Sequence, residues 1–144
     1  MTTAQFIQKY LEGTTKKDSC SSVWGEQDYS GERKVYSYGR HYPLAVIIDG
    51  KAYVNTRGYS NSTSKHIGWA MQATAQIVGY DNVHGVPLTN GNGLNKRDIQ
   101  ESARRGLDSI HEQMTSKKRK DTQVYKNLEH QEVRLLQALQ AVTA

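Results

Sequence analysis

The sequence predicts an α+β fold from three observations. A strand-turn-strand pattern surrounds Asp49-Gly50, a helical pattern of apolar residues follows it, and two longer helical patterns occupy the last third of the chain. We therefore expect a short N-terminal helix, a small antiparallel sheet within residues 22–55, a following helix and a C-terminal helical hairpin. The sheet domain should span residues 1–95 and the hairpin residues 96–144, packed on each other as a single folding unit.

The N-terminal stretch TTAQFIQKYLEGTT has the signals of a short helix. Thr2 or Thr3 provides an N-cap hydroxyl, and Gly13 is a typical C-terminal stop. The positions that share one apolar face are Phe6, Ile7, Tyr10 and Leu11. This face should lie on the rest of the domain.

Strand signals occur at 22–29 and 33–38 and are strongest in LAVIIDGKAYVN. Its Asp49-Gly50 pair favours the positive φ angles of a type I′ turn, which joins two strands through a two-residue loop. Alternation along the strands then separates the side chains into two faces. The face predicted to be the core consists of Ala45, Ile47, Ala52 and Val54. The opposite face consists of Val46, Ile48, Lys51 and Tyr53.

The stretch KHIGWAMQATAQIVGY predicts the helix that follows the sheet. Thr63 or Ser64 is the expected N-cap and Gly79 the expected C-terminal stop, with Thr74 as a polar interruption. Its apolar face is formed by Ile67, Ala70, Met71, Ile77 and Val78. Residues 81–94 are glycine-rich and are expected to form a long loop or a poorly formed β-hairpin.

Two long helical patterns make up the C-terminal third. The first begins at the capping residues Asn95 and Asp98, and its apolar stripe consists of Ile99, Ala103, Leu107, Ile110 and Met114. The second has a coiled-coil-like seam of Tyr125, Leu128, Glu132, Leu135, Leu139 and Val142. We interpret the pair as a helical hairpin packed on itself or on the sheet, because roughly three heptads are marginal alone. A homodimer through these helices is the alternative.

Composition narrows the class of protein. A hydrophobic fraction of 36% and a mean hydropathy of -0.75 indicate a small core, or one that a partner completes. The single cysteine, Cys20, excludes an internal disulfide. Neither a secretory leader nor a stretch long enough to span a membrane is evident, so we expect a soluble protein of the cytoplasm, or of the host cytoplasm if phage-encoded.

Positive charge is concentrated in two parts of the chain. The net charge is +5 and the pI is near 9.3. Residues 33–66 carry six basic side chains and one acidic one, and residues 96–144 carry ten basic and seven acidic ones. This clustering favours a polyanionic partner.

Catalytic chemistry has little support in the sequence. His41, His66 and His84 lack the close spacing of a preorganised metal site, and no nucleophile-elbow pattern surrounds Cys20 or a serine. A lone histidine such as His41, beside Arg40, can still act as an acid or base without a motif. We therefore expect a non-enzymatic protein with no metal and no cofactor. The alternative is a nucleotide-type small-molecule binder or an enzyme that uses His41 and His66.

Tyrosines interleave with basic residues around the two strands that the Asp49-Gly50 turn joins. Aromatic rings stack on exposed bases and basic side chains contact phosphates, so this pattern is typical of nucleic-acid binding. Tyr36 and Tyr38 share a strand face opposite Val35, which predicts tyrosines presented away from the core. The alternative is that tyrosines simply cover a small sheet. The predicted contacts are Tyr36, Tyr38, Arg40, His41, Tyr42, Arg57, Tyr59, Lys65, His66 and the basic run Lys117, Lys118, Arg119 and Lys120.

Two segments on either side of the hairpin, YGRHYPLA and VNTRGYSNSTSKHI, carry a resemblance to a known family. They resemble a small domain of bacteriophage and other mobile-element proteins, with the motif Tyr-Gly-x-His-Tyr-Pro-Leu-Ala and then Asn-x-x-x-Tyr-Ser-x-x-Thr-Ser-Lys-His. The likeness covers about residues 36–67 and implies a phage-type origin rather than a particular reaction. We expect the second segment to return beside the first in the fold.

These observations together predict a phage-type accessory protein. Its partner should be nucleic acid or a host complex that handles nucleic acid, and inhibition of host defence in the manner of an anti-CRISPR protein is suggested by size and style. A self-assembling structural protein that uses the 125–142 seam is a further alternative.

Overall fold

The computed structural model of the protein describes residues 1–38, 42–57, 61–89 and 93–144. Four helices and six strands form the described part of the chain, and the predicted α+β class is confirmed. The elements in chain order are α1 Thr3–Glu12, β1 Ser19–Cys20, β2 Val23–Gln27, β3 Arg33–Ser37, β4 Tyr42–Ile48, β5 Lys51–Asn55, α2 Asn61–Val78, a 3₁₀ turn Tyr80–Asn82, β6 Val83–Val86, α3 Lys96–Ser116 and α4 Gln123–Thr143.

One mixed sheet contains all six strands in the order β1-β2-β3-β4-β5-β6. Strands β2 to β5 are antiparallel neighbours, as the sequence predicts for residues 22–55. The two-residue strand β1 lies outside that prediction and pairs antiparallel with β2, whereas β6 runs parallel to β5 after the α2 crossover. The prediction of a loop or a poorly formed β-hairpin at 81–94 is therefore wrong for Val83–Val86, which pairs in parallel with β5. This segment carries a weak strand signal because it is short, contains Gly85 and is followed by Pro87. It forms a strand through its pairing with β5, which is distant in the chain.

The turn between β4 and β5 is as predicted. Asp49 and Gly50 have φ angles of 52° and 76°, the left-handed values that a type I′ turn requires. The register pairs Ile48 with Lys51 and Ala45 with Val54. The strands are thus aligned by their own local sequence.

Both faces of the β4–β5 hairpin are buried, and this corrects the prediction that only one face belongs to the core. Helices α1 and α2 cover the face that carries Ala45 and Val54. Helices α3 and α4 cover the opposite face, where Val46, Ile48 and Tyr53 are buried with side chains of both helices. The sheet therefore lies between two helical layers, and its near-continuous apolar strands are typical of a sheet covered on both sides.

Helix α1 begins and ends at its predicted caps. The Thr2 hydroxyl accepts a hydrogen bond from the Gln5 backbone N–H at 3.1 Å, and the Gln5 side-chain oxygen accepts one from the Thr2 N–H at 2.9 Å. Gly13 ends the helix with φ of 81°. The predicted apolar face is buried against the sheet.

Helix α2 begins at Asn61, two residues before Thr63, so the predicted N-cap at Thr63 or Ser64 is wrong. Its most buried stripe is more polar than the predicted one and consists of Thr63, His66, Ala70, Ala73 and Thr74. The buried Thr74 hydroxyl donates a hydrogen bond to the Ala70 carbonyl at 2.7 Å, so this polar group has a partner within the helix. Gly79, with φ of 89°, follows the last helical residue as predicted.

Helices α3 and α4 form the predicted hairpin. The Asn95 side chain caps α3 by accepting from the Asp98 N–H at 2.9 Å. The seam of α4 packs on α3 and on the sheet, which supports the hairpin interpretation over the dimer seam. Its charged interruption, Glu132, meets His111 of α3, with 2.6 Å between Oε2 and Nε2. None of the helices in the described residues has the length and apolar character needed to cross a membrane.

Candidate nucleic-acid interface

The segments YGRHYPLA and VNTRGYSNSTSKHI are together called the Tyr-rich motif below. Their described residues meet at one end of the sheet, as predicted. Ser37, the last residue of β3, lies 2.7 Å from His66 of α2, measured from Oγ to Nδ1. The His66 ring also contacts Tyr38 and Trp69, with ring centroids 6.1 Å and 5.6 Å away. We call this contact the Ser37–His66 tie. The predicted contacts Arg40, His41 and Tyr59 lie outside the residues that the structure describes.

Asn55 explains why the halves converge. Its side-chain amide is completely buried at the end of β5, where it donates to the Pro43 carbonyl at 2.8 Å. Its side-chain oxygen accepts from the Arg57 N–H at 2.9 Å and from the Leu88 N–H at 3.0 Å. One side chain therefore joins β4 and the segments that leave β5 and β6.

Burial overturns part of the predicted stacking surface. Tyr36 is 7% exposed and lies in the core under α3 and α4, because those helices cover the strand face on which the sequence places it. Tyr42 is 4% exposed and packs in the core under α1 and α2. Of the three described tyrosines predicted to be contacts, only Tyr38 is exposed, at 47%. The prediction of an exposed stacking surface is wrong for Tyr36 and Tyr42.

The Ser37–His66 tie is structural rather than catalytic in geometry. A serine hydroxyl next to a histidine is the arrangement of an activated nucleophile, but such a nucleophile must reach its substrate. Ser37 is 0% exposed and His66 is 5% exposed. Burial lowers the pKa of His66 below its ordinary value of 6.5, so the ring is neutral at neutral pH. A neutral ring suits a hydrogen bond with a hydroxyl that can donate or accept.

The remaining described basic contacts are exposed. Arg57 follows β5, Lys65 lies in the first turns of α2, and the run 117–120 lies between α3 and α4. Arg119 pairs with Asp121 at 3.3 Å on the surface. Arg57 alone among these residues lines a large cavity.

That cavity is a groove along β6, bordered by the end of α2 and by α3 and α4. It has a volume of about 1310 Å³. We call it the β6 groove. Its polar and charged lining includes Lys51, Arg57, Asp81, Asn82, His84, Ser102, Arg105, Ser109, Gln113, Gln131, Arg134, Gln137 and Gln140. Apolar side chains from Met71, Pro87, Ile110 and Leu135 also contribute.

The charge of the β6 groove is strongly asymmetric. Lys51 and Arg57 reach it from the sheet, and Arg105 and Arg134 reach it from the two helices. In the described part of the chain, Asp81 is the one carboxylate residue that lines it. The guanidinium of Arg105 lies 3.7 Å from Glu101, a surface contact that offsets little of its charge. The groove thus combines cationic groups with amide and hydroxyl side chains.

His84 adds an uncharged aromatic ring to this lining. Its ring stacks on buried Tyr53, with centroids 5.7 Å apart and an interplanar angle of 28°. Burial, and secondarily the charge of Lys51, lowers the pKa of His84. The ring is therefore neutral at neutral pH and gains charge only in acid.

The sequence predicts little of this groove beyond Arg57. Its residues come from the end of α2, from β6 and from one face each of α3 and α4, which are distant in the chain. On the helices they resemble ordinary exposed polar positions, because only the packing of α3 and α4 beside β6 brings them together. A useful signal was present in the four glutamines, which are uncharged at positions where surface helices often carry charge.

Among the residues that the structure describes, no group of three or more His, Cys, Asp or Glu side chains is placed to hold a metal ion. The groove presents cationic, amide and hydroxyl groups that can form salt bridges and hydrogen bonds with an anion. No known protein family, curated protein or solved structure matches the chain.

Proposed function

We propose that the protein binds nucleic acid through the β6 groove, without catalysis. The proposal depends on the charge of the groove lining, which includes the four cationic side chains Lys51, Arg57, Arg105 and Arg134. Among the residues that the structure describes, Asp81 is the one carboxylate residue in this lining. Lys and Arg contribute most of the affinity for a phosphate backbone. Serine and glutamine side chains add hydrogen bonds to phosphates, sugars and bases.

The size of the groove supports a polymer rather than a free nucleotide. Small-molecule sites occupy roughly 300–1,000 Å³, and the β6 groove has about 1310 Å³. Lys51 is the first residue of β5 and Arg57 lies two residues beyond its end, so the two are six positions apart and separated by at most roughly 20 Å of extended chain. A ligand that contacts both must be elongated.

The same surface suits the broader role expected from the sequence. A phage-type accessory protein that occupies a nucleic acid can compete with a host complex for it, and inhibition of host defence is one such outcome. This extension rests on the phage-type resemblance expected from residues 36–67 of the sequence, and the groove chemistry supports the nucleic-acid part of the proposal.

A charge-matched pair of double variants tests the proposal. Arg105→Ala with Arg134→Ala removes two groove cations, and Arg97→Ala with Arg104→Ala removes two exposed cations of α3 that do not line the groove. Fluorescence anisotropy with labelled RNA and DNA, in single-stranded and duplex form, measures Kd at several salt concentrations. We expect the groove variant to bind about 10–100-fold more weakly, with a salt slope shallower by about 1–2.

The control variant should keep affinity within about threefold of wild type, since it retains the groove. Equal losses in the two double variants would mean that only overall charge matters, and the groove proposal would then be abandoned. The absence of salt-dependent binding in the wild type would reject nucleic acid as the partner.

A further inference from the structure

An exposed tyrosine stands at one end of the β6 groove. Tyr80 lies in the 3₁₀ turn between α2 and β6, lines the groove and is 86% exposed. An exposed aromatic ring beside cationic side chains can stack on a nucleobase.

His84 presents a second ring at the same end. It follows Tyr80 by four residues and lines the groove from the first half of β6. Tyr53, which is almost completely buried, holds the His84 ring in place from below. A ring held in this way loses little conformational entropy when a base stacks on it.

The two rings that line the groove favour one nucleic-acid strand. Paired bases keep their faces inside the stack, where Tyr80 and His84 cannot contact them. The bases of a single strand present those faces to aromatic side chains.

We infer that the β6 groove takes single-stranded rather than duplex nucleic acid, with Tyr80 and His84 stacking on bases at one end and Arg57, Arg105 and Arg134 contacting the backbone. This inference rests on the proposed function and adds to it the strandedness of the ligand and the residues that hold its bases. At the minimal spacing of about 3.4 Å per nucleotide, a strand that contacts both Lys51 and Arg57 places at most about six nucleotides between them.

The experiment compares three tyrosine variants on the full chain. Tyr80→Ala removes the ring, Tyr80→Phe keeps it, and Tyr29→Ala removes a fully exposed ring that does not line the groove. The ligands are labelled single strands of about 12 nucleotides, as RNA and as DNA, and the corresponding duplexes. A second readout is the fluorescence of 2-aminopurine in the strand, which stacking quenches.

We expect wild type to bind single strands at least about tenfold more tightly than duplexes, and Tyr80→Ala to lose about 10–100-fold for single strands. Tyr80→Phe and Tyr29→Ala should retain both affinity and quenching, whereas Tyr80→Ala should lose part of the quenching. RNA and DNA results then distinguish the two sources of single strands.

The contrary results separate failure of the single-strand inference from failure of the proposed function. Salt-dependent binding with equal or higher affinity for duplexes would overturn the inference and keep the proposed function. The inference would also be overturned, with the proposed function kept, if Tyr80→Ala bound single strands as tightly as Tyr29→Ala does. A wild-type protein that binds neither form would reject the proposed function first.

Discussion

The Tyr-rich motif and the β6 groove differ in how their sequence relates to their surface. The motif contains the most unusual sequence of the chain, yet Tyr36, Tyr42 and His66 are buried and hold the fold together. The groove is made of ordinary polar helix positions and a short strand, yet four cationic side chains and several amide side chains line it. A dense motif therefore indicates demanding packing at least as readily as it indicates binding.

Tyr36 provides the sharpest test of this contrast and the largest expected effect. Tyr36→Ala leaves a cavity beneath α3 and α4 and should lower the free energy of unfolding by about 3–5 kcal/mol. Tyr38→Ala, at a half-exposed position, should lower it by less than about 1 kcal/mol. Urea denaturation measures both. Near-equal values would mean that Tyr36 is not a core residue.

Asn55→Ala tests whether the convergence of the motif depends on one buried amide. The substitution removes one hydrogen bond each from the Pro43 carbonyl, the Arg57 N–H and the Leu88 N–H, of which the last keeps the Val86 carbonyl as an acceptor. This loss should cost about 2–4 kcal/mol in unfolding free energy. The control Asn127→Ala, on the exposed face of α4, should cost less than about 0.5 kcal/mol. A folded Asn55→Ala protein with wild-type stability would contradict this role of the amide.

The pH dependence of stability gives the smallest effect and concerns both regions. His66 and His84 have folded-state pKa values below the ordinary 6.5, so the unfolded chain binds protons more readily than the native state. Their contribution to stability is fully present above pH 6.5 and declines as the pH falls through 6.5 toward the folded-state values. Denaturation at several pH values should show this loss, and His66→Gln should reduce its steepness.

His84→Gln is the corresponding variant in the β6 groove, because it removes the other histidine whose pKa burial lowers. If neither substitution changes the slope of unfolding free energy against pH below 6.5, burial of these rings does not account for the acid sensitivity.

Local signals in the sequence predicted much of the fold. The Asp49-Gly50 turn, the Thr2 and Asn95 caps and the stripes of α1 and α3 are confirmed, because each depends on residues within a few positions of one another. The strand β6 and the start of α2 were missed. Val83–Val86 has weak intrinsic strand propensity and is a strand only because β5 pairs with it.

Predictions of the site succeeded less well, for a related reason. The sequence correctly predicted that the two halves of the motif meet, and it identified Arg57. It also assigned Tyr36 to the surface, since alternation shows which residues share a face but not whether another layer covers that face. Arg105 and Arg134 were missed because nothing near them in the chain distinguishes them from other exposed helix cations.

The sequence by itself determined the α+β class, the hairpin register, the helix caps and the basic character of the chain, because turn geometry, periodicity and charge are local properties. The tertiary structure decided which faces are buried and which cationic side chains share a groove. Those outcomes depend on α3 and α4 packing beside β6 and over the second face of the sheet, and such long-range packing follows from the shape and area of whole surfaces rather than from any single stretch.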